Sequence, residues 1–146
     1  MNLPHNTLIA VADGARLLLL RNGGDAAHPA LEIVEHETER HAATHDQGTG
    51  RPGRVFSRVG HGRSAVAQTD WHQIGEDRFA RHAADLLNAL ATDGWAEHIV
   101  VVAPPKALGE MRKHYAKAVE TRLLGEMHND LTSFPLDEIA AHLAAA

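Results

Sequence analysis

The chain has 146 residues and no cysteine, which excludes a disulfide framework and thiolate-bound zinc and leaves enough length for one domain with a substantial core. Its formal charge of −5 excludes a surface that is basic throughout, so any contact with nucleic acid must be local. The longest apolar runs, Leu17 to Leu20 and Ile99 to Ala103, fall far short of the roughly 20 residues of a membrane helix, and no signal-like stretch follows Met1. These features predict one cytoplasmic domain over residues 1–146, with no membrane partner.

Thr7 to Ala12 is short, β-branched and apolar, and it runs into Asp13-Gly14, a dipeptide that supplies the positive φ values of a tight hairpin. A second strand is expected from Arg16 to Arg21. After the turn signal Asn22-Gly23-Gly24-Asp25, Leu31 to Glu37 reads as a third strand with a polar far end, which completes an antiparallel meander. From Ala42 to Thr69 periodicity is lost, and Gly48, Gly50, Gly53, Gly60 and Gly62 mark a long loop of the kind that usually carries function.

Asp70 with Gln73 offers a capping box for a helix whose apolar positions are Phe79, Ala83, Leu86, Leu87 and Leu90, ended by Gly94. Ile99 to Ala103 reads as a central strand covered on both faces. Pro104-Pro105 stops it, and Pro105 opens a helix that carries Leu108, Met111 and Tyr115 and extends toward Val119. Leu123 to Met127 is the last strand. Thr132 or Ser133 caps a terminal helix with Leu136, Ile139, Ala140 and Leu143 facing inward. The order, a three-strand meander, a long loop and then αβαβα, predicts an α/β fold of the α+β mixed-sheet kind, with helices packed on the sheet.

Between Gln47 and Thr69 there is no acidic residue, while Arg51, Arg54, Arg58, His61 and Arg63 lie there among the glycines, Gly62 included. Arginine forks onto pairs of phosphate oxygens and glycine lets a backbone approach closely, so the span is a candidate site for RNA or another polyanion. A merely solvated arginine-rich loop is the plainer account. A second cluster forms where the buried strand gives way to a helix N-terminus: Asp13, Pro104, Pro105, Lys106 and Arg112 mark a crevice suited to ligands or anions. Sharp structural punctuation explains the same residues.

Other chemistries find less. His36, His41, His45 and Asp46 are close in sequence, yet no third ligand is fixed and no metal or cofactor is expected. A nuclease would need carboxylates to converge, and Asp13, Asp46, Glu76, Asp77 and Asp130 match no metal motif in their spacing. Ser57, Ser64 and Ser133 lack a nucleophile elbow, and there is no phosphate-binding glycine fingerprint.

Five stretches carry a resemblance: Val11-Ala12-Asp13-Gly14-Ala15-Arg16, Gly62-Arg63-Ser64, Phe79-Ala80, Ala103-Pro104-Pro105 with Leu108-Gly109-Glu110 and Arg112, and Asp130-Leu131-Thr132. Together they resemble the bacterial host attachment family, proteins required for attachment to host cells. That family is similar to the central domain of archaeal and eukaryotic peptide-chain release factors, which implies a domain of ribonuclease H-like shape. In those factors a Gly-Gly-Gln loop before a long helix positions water for ester hydrolysis on the ribosome. Here Gly60-His61-Gly62-Arg63-Ser64 takes the analogous place without the glutamine. The resemblance implies a non-catalytic protein that contacts RNA or the ribosome through the Arg/Gly loop. Two alternatives stay open: a hydrolase of an ester or phosphodiester, with His61 or Asp13 as general base, and a protein-interaction module with an indirect part in host attachment. The acidic third strand and the basic loop also admit a homodimer.

Overall fold

The computed structural model describes residues 1–38 and 64–146, with residues 38 and 64–73 described by backbone alone. Five strands, β1 (Leu8–Ala12), β2 (Arg16–Asn22), β3 (Leu31–Thr38), β4 (Ile99–Val102) and β5 (Leu123–Met127), form one sheet in the order β3-β2-β1-β4-β5. β2 is antiparallel to β1 and β3, whereas β4 is parallel to β1 and β5 to β4, so only β2 runs against the rest. The expected mixed α/β sheet is the one observed.

Helices α1 (Ser64–Thr92), α2 (Pro105–Arg112) and α3 (Lys117–Glu120) cover one face, and α4 (Leu136–Ala145) covers the other. Because successive side chains of a strand point to opposite faces, β1 sends Leu8, Ala10 and Ala12 toward Phe79, Ala83 and Leu87 of α1. It sends Ile9 and Val11 toward Ile139 and Leu143 of α4. β4 divides in the same way, Ile99 and Val101 against Val100 and Val102. All residues of both strands are buried, which is why they read as unbroken apolar runs. Each such Leu, Ile or Val contributes about 1.5 to 3 kcal/mol by leaving water.

Four boundaries differ from the sequence expectation. α1 begins at Ser64, so Asp70 lies inside the helix and the end of the expected loop, residues 64–69, is helical. No glycine or proline interrupts the chain between Arg63 and Ile74, and Ala65, Ala67 and Gln68 are good helix formers. The expected helix from Pro105 to Val119 is two helices. Asn88 of α1 fixes the break, its Nδ2 donating to the His114 carbonyl at 2.8 Å and its Oδ1 accepting from Ala116 N at 2.7 Å. α4 starts after Pro135 with no side-chain cap, since Thr132 is engaged elsewhere; Asp137 and Glu138 favour its positive end instead. Finally, neither Asp13 nor Gly14 has a positive φ, so the first hairpin is not the left-handed turn that the dipeptide suggests.

Gly94 ends α1 as expected. At φ +74° it lets Trp95 N reach the Leu90 carbonyl and Gly94 N reach the Ala91 carbonyl, each at 3.1 Å, the paired bonds of a Schellman cap. Asn22, read in the sequence only as a turn former, is completely buried and fully satisfied. Its amide donates to the Leu3 carbonyl at 2.7 Å and the Asp25 carbonyl at 3.3 Å, and its oxygen accepts from Gly24 N and Ala30 N, both at 2.9 Å.

Asn22→Ala strands these backbone groups in the interior, so it is expected to lower unfolding free energy by about 2 to 4 kcal/mol. Gly94→Ala, which costs only the left-handed strain, is expected to lose about 1 to 2 kcal/mol. Urea titration of the two variants beside the parent checks the order; equal losses would refute the assignment of Asn22.

Candidate functional site

Where β1 ends, Asp13 turns the chain through its own side chain. Its Oδ1 accepts from Ala15 N and Arg16 N, both at 2.7 Å, while Asp13 N donates to the Arg16 carbonyl at 3.0 Å. Oδ2 accepts from Arg16 Nε at 3.3 Å and Nη2 at 3.1 Å, and the Thr132 hydroxyl lies 2.9 Å from the same oxygen. Thr132 Oγ1 is also 2.7 Å from Asp130 Oδ1. A hydroxyl carries one proton, so Thr132 donates to one of the two carboxylates at a time. The contact fastens the segment after β5 to the first hairpin, 119 positions earlier in the sequence.

Burial alone would raise the Asp13 pKa. The hydrogen bonds from Ala15 N, the Thr132 hydroxyl, Arg16 N and the Arg16 guanidinium outweigh it and hold the carboxyl below its ordinary value. The carboxylate is thus committed to hydrogen bonds that hold the hairpin, which gives Asp13 a structural role at this corner.

The hairpin forms one wall of a pocket of about 270 Å³, lined by Asp13, Gly14, Ala15, Glu76, Asp77, Pro104, Lys106, Ala107 and Asp130. It opens beyond the carboxyl ends of the adjacent parallel strands β1 and β4, the usual place for a ligand in such sheets. The Glu76 carboxylate lies against the Cα of Gly14, where a Cβ would make that side chain shift. α2 starts at the pocket rim with no side-chain cap, and its first helical bond is Leu108 N to the Pro104 carbonyl at 2.9 Å. The backbone N–H groups of Lys106 and Ala107 therefore have no acceptor within the helix.

The crevice read from the sequence is thus partly assembled. Asp13, Pro104 and Lys106 converge; Pro105 opens α2 without lining the pocket. Arg112 is at the far end of α2, donating to Glu126 Oε1 from Nε at 3.0 Å and Nη2 at 2.7 Å. Tyr115 donates to the other oxygen of Glu126 at 3.3 Å, and burial, then the Glu126 charge, pushes its phenol above the ordinary range. Arg112 therefore serves this separate cluster and not the crevice. Of the carboxylates weighed for a nuclease, Asp13, Glu76, Asp77 and Asp130 meet in the pocket, which no sequence spacing announced. Among the described residues no three acids or histidines stand where they would hold a metal ion. Arg51, Arg54, Arg58, His61, Gly62 and Arg63 lie outside the described residues, as do His41, His45 and Asp46. Among the described residues no helix is long and apolar enough to cross a membrane.

Residues 6–143 match bacterial archaeo-eukaryotic release factor family 12. No curated protein matches the chain. Among solved structures, the crystal structure of an archaeal translation termination factor, aRF1, is similar with a TM-score of 0.46 and 14% identity, over 95% of this chain and 41% of that one. The chain thus spans less than half the length of that factor.

Since the folded pKa of Asp13 lies below its unfolded value, its carboxylate contributes stability that is complete above about pH 5 and is lost as pH falls through the folded pKa, below about 4. Asp13→Asn is expected to lower the melting temperature at pH 7 and to flatten the acid limb of the stability curve. A parallel downward shift at every pH, measured by thermal melts from pH 2 to 7, would contradict this.

Proposed function

We propose that this chain, which belongs to bacterial archaeo-eukaryotic release factor family 12, contacts RNA or the ribosome through the arginines of its 42–69 region and performs no chemistry of its own. Family membership over nearly the full length is the observation that carries the reading. The sequence adds the means. Arg51, Arg54, Arg58 and Arg63 have no acidic residue among them, on a chain that is otherwise acidic. Phosphate contacts supply most of the affinity for nucleic acid, and four unopposed guanidinium groups are enough for a local footprint. The sequence lacks a Gly-Gly-Gln run, so hydrolysis by that device has no residue here to act through.

The carboxylate-lined pocket favours a second reading, hydrolysis of an ester or phosphodiester. In that case Glu76, at the pocket wall beside Gly14, is the candidate base, since the Asp13 carboxylate is committed to hydrogen bonds of its own hairpin. A part in attachment to host cells would be an indirect result of either activity.

Co-sedimentation of the protein with ribosomes from its own cells at about 50 and 200 mM salt tests the first reading. Four phosphate contacts should weaken binding on the order of a hundredfold between those salts. The variant with Arg51, Arg54, Arg58 and Arg63 all changed to Ala should stay in the supernatant while melting like the parent. Salt-insensitive pelleting, or pelleting of that variant, would refute these arginines as the contact.

A further inference from the structure

We infer that the outer edge of β3 is a docking site for a partner protein, one that adds an extended segment alternating basic and apolar residues to the sheet. β3 ends the strand order, so among the described residues its outer row of N–H and C=O groups has no strand partner. Such a row is a template for strand addition.

The register fixes what the added strand must look like. Leu17 and Leu19 of β2 belong to the core beneath α1, and their partners on β3 are Glu37 and Glu35. Arg21, on the same side by alternation, pairs with Glu32 and donates to it at 2.9 Å. Leu20 belongs to the core beneath α4 and pairs with Ile33, while Leu31 packs into that same core. A register shift at Leu19/Leu20 takes up Val34. β3 is therefore acidic on the α1 face, with Glu32, Glu35 and Glu37, and mainly apolar on the α4 face, with Leu31 and Ile33 beside His36, which pairs with Leu18.

Ile33 is 56% exposed and Val34 42%, an apolar pair left open on an edge. Glu32 is engaged by Arg21 and Glu37 by His82 at 2.8 Å, whereas Glu35 makes no ion pair among the described residues. Opposite charges facing each other across strands stabilise a sheet, and like charges destabilise it. A strand presenting Lys or Arg to the acidic face and Val, Ile or Leu to the other satisfies both faces at once. A second copy of β3 does not, because it would crowd two sets of glutamates into one ribbon.

The test uses the full chain and a short labelled synthetic peptide alternating Arg with Val, followed by fluorescence anisotropy and by hydrogen exchange of the β3 amides. Binding is expected to protect those amides. Glu35→Lys should weaken it about fivefold or more without changing the melt, as expected for reversing one cross-strand charge. N-methylation of the peptide along its pairing edge should abolish binding. No binding, equal binding of the N-methylated peptide, or indifference to Glu35→Lys would overturn the inference. So would a dimer of the free protein that pairs β3 with β3.

Discussion

β1 is held on four sides, and that enclosure is the constraint from which the rest of the architecture follows. β2 bonds one edge and β4 the other, from the Leu8↔Arg21 and Leu8↔Ile99 pairs onward, while the two cores seal its faces. In so dry a place every backbone group must find a partner within the sheet, and every side chain must be small or apolar enough to share the space. Leu-Ile-Ala-Val-Ala meets both demands, with alanines toward the close-packed α1. Polar chemistry is thereby pushed to the strand's ends.

At the carboxyl end that displacement produces the pocket. Asp13 is the first residue beyond the sealed strand, and it turns the chain, pairs Arg16 and meets Thr132. Burial asks it to shed its charge, and the surrounding donors insist that it keep it. The charge that results is what anchors the hairpin. The opposite wall of the pocket is formed by α1 and the start of α2, where Glu76 sits against the bare Cα of Gly14.

The sheet was legible because its signals are local. A buried strand declares itself by unbroken apolarity, as Ile99 to Val102 did, and Gly94 declares a helix end because few residues accept its φ. What escaped detection depends on contacts between distant residues. Asn88 breaks the α2–α3 run from another helix, and Thr132 leaves its expected capping role for a carboxylate 119 positions earlier. The pocket carboxylates come from the first hairpin, from α1 and from the segment after β5, so no spacing could reveal that they meet. Asp13 and Lys106 were accessible as a crevice because both follow ends of adjacent strands; Arg112 was not separable from them without knowing that Glu126 holds it.

The β1–β4 pairing also sets the order in which the molecule can assemble. β1, β2 and β3 are complete by residue 38, and their antiparallel ladders close short loops. The other edge of β1 must wait for Ile99 to Val102, and its α4 face for Ile139 and Leu143. On a ribosome, then, a strand without a single polar residue emerges ahead of the strand and the helix that enclose it. Through most of synthesis the nascent meander presents an unpaired apolar edge, and its escape from aggregation rests on how quickly the C-terminal half follows or on a chaperone that shields it.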